Sequence, residues 1–195
     1  MTSILKADNI QDADGNNIIN ESSNTITIGA SGDTTNVIGT LNKDGVAVAN
    51  TPAFEANLSA EQSASDDVFT KMDFDEEVFD TDGAYDHTTN QRFTVPSGQA
   101  GKYHIYSNVV LGSGSNDTVI DTKLLIYKNG SVYSRTITNT NNSKQRYQQL
   151  SVASTMVLAV GDYVEIYAQV NLSSGSVEFR AQNREATFGG YKIIE

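Results

Sequence analysis

The chain has 195 residues, a formal net charge of −11 and only 38% hydrophobic residues. Such an acidic chain repels phosphate backbones and anionic lipid surfaces, which argues against nucleic-acid partners and against adsorption to membranes by charge. It has no cysteine, so a disulfide framework, a thiolate metal site and a cysteine nucleophile are excluded, and no apolar run approaches the ~20 residues that insert in a bilayer.

The opening MTSILKADNIQDADGNN lacks a basic stretch followed by an apolar one, so it does not read as a secretory signal. The expectation is synthesis in a cytoplasm, with exit only as part of a particle. Residues 1–50 contain no Phe, Tyr or Trp, whereas residues 54–195 hold all nine Tyr and all seven Phe. Aromatic side chains dominate core energetics, so this segment is not expected to build a compact core alone. It still carries short alternations of β-branched residues. Ile26 and Ile28 alternate in NTITIG, Val37 and Ile38 precede Gly39-Thr40-Leu41, and Val46 and Val48 alternate in GVAV. These predict strands that need partners, from other copies of the chain or from a docking protein. A flexible tail is the competing reading.

From Thr51 onward, short apolar runs alternate with turn clusters, the pattern of a sandwich or barrel. FEANL begins at Phe54, and VFTKMDF spans 68–74, alternating Val68, Thr70 and Met72 against Phe69, Lys71 and Asp73. RFTVP ends at Pro96, and GKYHIYSNVVLG begins at Gly101. TKLLIYKNGSVYSRTIT folds back at Asn129-Gly130, the strongest short hairpin signal because both residues accept positive φ. YQQLSVASTMVLAV, GDYVEIYAQVNL, SVEFRAQ and ATFGGYKII follow. No segment sustains a 3.6-residue period. The expected fold is all-β, a jelly roll of roughly eight to ten strands, with residues 1–50 as an extended β-rich segment and 51–195 as the head.

Chemistry-bearing residues are sparse. The two histidines, His87 in YDHTTN and His104 in a strand, lie near no nucleophile-elbow sequence and leave few nitrogen ligands for a metal. A glycosidase needs two carboxylates in a defined geometry, which sequence does not display. The densest acidic stretch runs from Asp66 to Asp86, and Asp73, Asp75, Asp80 and Asp82 are its candidate Ca²⁺ ligands, hard oxygens of the kind that ion takes. Their order is not that of an EF-hand loop, and a solvated acidic face is the competing reading. Three polar loops, Gly112–Asp117, Asn139–Gln145 and Leu172–Ser176, are candidate receptor loops, with Ser113, Asn116, Asn141, Asn142 and Ser173 as their contact residues. Gly112 and Gly114 are read as giving a loop tip backbone freedom.

Specific residues of the head resemble the C1q/tumour-necrosis-factor-like globular domain. Tyr85-Asp86, Phe93-Thr94, Pro96 and Gly101-Lys102-Tyr103-His104-Ile105-Tyr106 resemble its Tyr-Asn/Asp, Phe-Thr, Pro, Gly-x-Tyr-x-Phe signature. Leu158, Gly161, Asp162 and Val164 resemble its Leu-x-x-Gly-Asp-x-Val element, and Thr187, Phe188, Gly190 and Tyr191 its last strand. Ile105 departs from the usual Phe, and the loops after Tyr85 and Phe93 are slightly longer, which costs little. The resemblance covers residues 53–195. It implies a ten-stranded jelly roll and a homotrimer, with Tyr103, Ile105, Tyr106, Phe188 and Tyr191 as trimer or core residues. Tyr103 and Ile105 would pack inside, while His104 and Tyr106 would face outward or toward a neighbouring subunit.

Residues 3–45 are similar instead to the opening of small virion proteins of tailed phages of aquatic bacteria, described as tail fibres. The likeness rests on ITIGASGDT followed by GTLNKDG. It implies localisation on a virion, with Ile26, Ile28, Val37, Ile38 and Leu41 docking to other virion proteins. The head would then bind a host-surface glycan or protein, without catalysis and with no cofactor beyond the candidate Ca²⁺. A capsid decoration protein, of cement or head-fibre type, is the alternative role, and a glycan-degrading enzyme the remote one.

Overall fold

The computed structural model describes residues 9–11, 13, 17–22, 25–28, 32, 34–36, 38, 41–43, 46–47 and 49–193. The chain divides into two compact units, Met1–Val48 and Ala49–Glu195.

In the first unit, β1 (Asn9–Gln11), β2 (Asn17–Ser22) and β3 (Thr25–Ile28) form an antiparallel sheet, and β4 (Asn42–Lys43) pairs with β5 (Val46–Ala47). Ile10 lies opposite Ile19, and Ile19 opposite Ile28, so one row of isoleucines crosses all three strands. Ile26 shares that face, two residues before Ile28. All four side chains are exposed within the chain, as are Ile38 and Leu41. Val37, the remaining residue of the expected docking set, lies outside the described residues.

The second unit is built from β6 (Ala53–Asn57), β7 (Gln62–Ala64), β8 (Thr70–Lys71), β9 (Glu76–Asp80), β10 (Tyr85–Asp86), β11 (Arg92–Thr94), β12 (Gly101–Ser113), β13 (Val119–Lys128), β14 (Ser131–Asn139), β15 (Tyr147–Leu158), β16 (Tyr163–Leu172), β17 (Val177–Phe179) and β18 (Thr187–Lys192). Among the described residues, helix is confined to one 3₁₀ turn at Gln182–Arg184. Every pairing is antiparallel. In the first sheet β12 is the spine. Along one side it pairs with β15, from Gly101 opposite Leu158 to Gly112 opposite Tyr147. Its other side is shared by β18, which continues to β6 and β9, and by β17, which continues to β7. The second sheet runs β10-β11-β16-β13-β14, with β8 also on β16.

Period-two alternation explains the sandwich. On β12, Tyr103, Ile105, Ser107, Val109 and Leu111 are buried. Leu150, Val152, Met156 and Leu158 of β15, Leu124 and Ile126 of β13, and Val164, Ile166, Ala168 and Val170 of β16 meet them in one core. Aromatics fill its centre. Phe54 stacks on Tyr85 at 5.0 Å and on Phe93 at 4.8 Å, with Phe188 edge-on at 5.0 Å. The buried Tyr85 hydroxyl donates to the Phe74 carbonyl at 2.9 Å, and burial raises its pKa well above the ordinary phenol range. The Asn129-Gly130 turn between β13 and β14 has φ of 50° and 75°, the left-handed pair of a type I′ hairpin.

One strand expectation is corrected, and two strands were not expected. VFTKMDF does not form one strand over 68–74: Thr70 and Lys71 pair with β16, and Met72 N adds one bond to the Ile166 carbonyl at 2.9 Å. Met72 and Phe74 still reach the core while Val68 and Phe69 are exposed, because β11 occupies the adjoining stretch of β16. The polar strands β7 and β9 escape sequence reading because they lie away from the spine and bury too little to alternate.

Candidate interaction surfaces

The residues that the resemblance assigns to the trimer or the core divide between the two faces of the first sheet. Tyr103, Ile105 and Phe188 are fully buried core residues. His104, Tyr106 and Tyr191 point to the opposite side, where the His104 ring packs against Tyr191 at 5.5 Å and against Tyr106 at 6.3 Å. His104 Nδ1 lies 3.4 Å from the Thr155 hydroxyl. Tyr106 lies over Gly189, where a Cβ would sit 2.5 Å from the phenol ring. The glycine therefore lets the ring cross one strand and donate from its hydroxyl to Glu55 Oε2 at 2.8 Å. Burial and the Glu55 carboxylate together push the Tyr106 phenol upward. Beside this cluster the outward residues of β15 are Gln149, Ser151, Ala153, Thr155 and Val157. All five are exposed and none is charged. An uncharged stripe of small side chains is conspicuous on a chain of net charge −11.

The three polar loops meet at one end of the sandwich. Gly114 N donates to the Ser176 carbonyl at 3.0 Å, Ser173 N to Thr118 O at 2.9 Å, and Arg146 Nη2 to Gly114 O at 2.9 Å. Asn116, Asn141, Asn142 and Ser173 are exposed there. Ser113 is not: it is the last residue of β12, fully buried, and pairs with Val177. Gly112 is likewise a strand residue and not a loop tip. It is glycine because Tyr147 and the Arg146 backbone pass directly over it, a close approach that a Cβ would block. A second crossing of the Tyr106 type results, since Tyr147 spans Gly112 to reach Glu178 Oε2 at 3.4 Å. Arg180 and Arg146 lie 4.6 and 4.8 Å from that tyrosine ring.

The acidic stretch does not converge. Asp73 exchanges hydrogen bonds with the Gln62 side chain, and burial raises its pKa despite nearby Lys71. Asp75 accepts from Ser59 N at 2.8 Å and Ser59 Oγ at 2.7 Å. Burial opposes its ionisation, but these bonds together hold it below the ordinary range. Asp80 accepts from Tyr85 N at 2.7 Å, and Asp82 from the Thr81 hydroxyl at 2.6 Å. Among the described residues, no three acidic or histidine side chains gather as a metal site. The four candidate ligands are engaged in fixing turns and strand ends of their own chain.

Sequence reading missed both tyrosine crossings and the outward face of the second sheet, where Tyr127 stacks on Tyr167. The signal for that face was present in β16 as alternating Tyr163, Glu165, Tyr167 and Gln169.

No protein-family model matches the chain, and no curated protein matches it significantly in sequence. Solved structures do match. The Eiger TNF of S. frugiperda is similar with a TM-score of 0.52 and 12% identity, over 72% of this chain and 91% of that one. Murine APRIL at pH 5.0 gives 0.53 and 14%, over 72% and 98%. The globular domain of zebrafish complement 1qA gives 0.49 and 18%, over 73% and 98%. At such identities the likeness concerns the fold, and the second unit is an all-β jelly roll of the tumour-necrosis-factor type.

Proposed function

We propose that this chain is a non-catalytic, homotrimeric appendage of a phage particle, fixed by its N-terminal unit and presenting the jelly-roll head to a host surface. The observation that carries the trimer is the uncharged outer face of β15 beside His104, Tyr106 and Tyr191. Three copies of a −11 chain repel one another unless they approach through a face poor in unpaired like charge; here the β15 stripe is uncharged, and Glu55, the carboxylate that Tyr106 meets, is paired with Arg184. The anchoring role of the first unit is supported by its exposed isoleucine row and by the separate exposure of Ile38 and Leu41, in a segment without aromatic residues.

Two measurements test the reading. Light scattering gives the mass of the full chain in solution, expected at three times 21.0 kDa; a stable monomer defeats it. Labelling of the protein in intact particles gives its position and copy number. Few copies at the tail fit a fibre, many copies over the shell fit a decoration protein, and absence from the particle ends the virion assignment.

A further inference from the structure

The outward face of the second sheet is unlike the rest of the head. Strand register sets its rows. Arg92 follows the turn into β11, and across the sheet Glu165 lies opposite Tyr127. In the next row Lys71, Tyr167, Leu125 and Arg135 stand side by side on β8, β16, β13 and β14. In the row after that Gln169, Lys123 and Ile137 do the same.

Tyr127 and Tyr167 are stacked with centroids 4.1 Å apart. Between them and Arg135, Leu125 is only 2% exposed although it faces away from the core. Exposed Phe69 flanks the same patch, 5.8 Å from Lys123 Nζ. The face is thus a half-buried aromatic and aliphatic floor with polar groups standing around it, the composition of a ligand site.

Its charges balance where those of the chain do not: Lys71, Arg92, Lys123 and Arg135 stand among Asp67, Asp86, Asp121 and Glu165. Lys71 is paired with Glu165 at 2.6 Å, and Lys123 with Asp121 at 3.1 Å. Gln169 Nε2 holds Asp67 Oδ1 at 2.8 Å. On this face two guanidiniums have no ion pair among the described residues: Arg92, opposite Asp86 in the strand register and 4.3 Å from the Tyr163 ring centroid, and exposed Arg135. Three strand spacings and one row separate them, on the order of 15 Å.

We propose that this face binds an acidic glycan, a chain of carboxylate-bearing sugars. The assignment deepens the reading of the head as a host-surface binder. A guanidinium matches a carboxylate in bidentate geometry. Aromatic side chains offer flat apolar area to sugar rings, and the tyrosine hydroxyls serve ring hydroxyls. The separation of the two arginines calls for several sugar units. An acidic peptide fits less well. β13 and the middle of β16 are hydrogen-bonded on both sides, so no backbone is open there for strand addition.

The test is affinity electrophoresis of the full chain through gels containing polygalacturonate, alginate, dextran or poly-glutamate, with the mass of each sample measured alongside. Retardation by at least one uronate polymer, and by neither dextran nor poly-glutamate, is expected. Arg135→Glu and Arg92→Ala should each weaken it about tenfold, while the double change Asn141→Ala and Asn142→Ala at the loops should not. Arg135 is exposed, so its variant keeps the test decisive even if loss of Arg92 disturbs folding. No retardation by either uronate polymer, equal retardation by poly-glutamate, an undiminished Arg135→Glu variant, or loss in the loop variant each overturns the assignment. A trimer that no uronate retards sinks the ligand and leaves the assembly standing; a monomer that is retarded does the reverse.

Discussion

Tyr147 lies across Gly112 on the neighbouring strand, so close that a Cβ on Gly112 would be 2.5 Å from the ring Cδ1. The ring crosses β12 to meet Glu178 and Arg180 on its far side, which ties β15 to β17 across the spine. The Arg146 carbonyl occupies the same space, and backbone yields less readily than a flexible side chain. Gly112→Ala is therefore expected to cost about 1–3 kcal/mol, the range of overpacking. Gly189→Ala, where the obstacle is mainly the Tyr106 ring, should cost less. Urea denaturation of both variants measures the difference, and a Gly112→Ala protein as stable as the parent contradicts the packing account.

The uncharged β15 stripe makes a second prediction. Ala153 and Thr155 are exposed in the single chain, so Ala153→Arg leaves the fold of one head intact and places a cation in the proposed subunit interface. Three such cations meet at close range, which is strongly unfavourable when desolvated. The expected result is a dissociated head with unchanged far-ultraviolet circular dichroism. A trimer that survives both this change and Thr155→Glu locates the subunit contact elsewhere.

Acid stability should depend on two turn carboxylates. Hydrogen bonds from Thr89 N and the Asn90 side chain hold Asp86 far below its ordinary range. Asp162 is lowered from 3.8 to about 2 by the Asn129 side chain, Lys128 and Ala159 N. Both folded values lie below the unfolded one, so their stabilisation is present above pH 3.8 and is lost as pH falls toward the folded value. Asp162→Asn should lower the denaturant midpoint at neutral pH and flatten its decline between about pH 4 and pH 2. Glu178 is displaced upward, by burial and then by Glu61. Its contribution has the opposite sign, present at low pH and lost as pH rises. An Asp162→Asn variant with the acid limb of the parent removes this explanation.

Calcium should make no difference to the melting temperature. The carboxylates of Asp73, Asp75, Asp80 and Asp82 already accept hydrogen bonds from their own chain, and releasing them for a cation would undo the turns they fix. Calorimetry of the full chain in calcium and in chelator measures this. A shift of several degrees indicates a site assembled from more than one copy.

Much of the head was legible because its signals are local. The alternation from Gly101 to Gly112 identifies the spine, and Asn129-Gly130 identifies the turn, since both depend on neighbours in sequence. Gly112 and Ser113 were misread as loop residues because nothing beside them reveals that Tyr147 and Val177 pack there. Those partners are more than thirty residues away. The clustering of the three loops was not visible either, although polarity marked each one singly. The Tyr127–Tyr167 stack stayed hidden for the same reason: a tyrosine at an outward strand position reads alike whether its ring meets solvent or another ring.

β14 pairs with β13 along one side, and among the described residues no strand pairs with its other side. β15 partly covers that side, the Thr136 hydroxyl donating to the Ser151 carbonyl at 2.8 Å, and the uncovered length of this nine-residue strand still invites self-addition and aggregation. Its central residue is Arg135. When two such strands meet antiparallel and in register, Arg135 falls opposite its own copy, and like charges directly opposed disfavour the pair. The side chain proposed to grip an acidic ligand thus also keeps one head from zipping onto the next, a safeguard that matters wherever many copies are made at once.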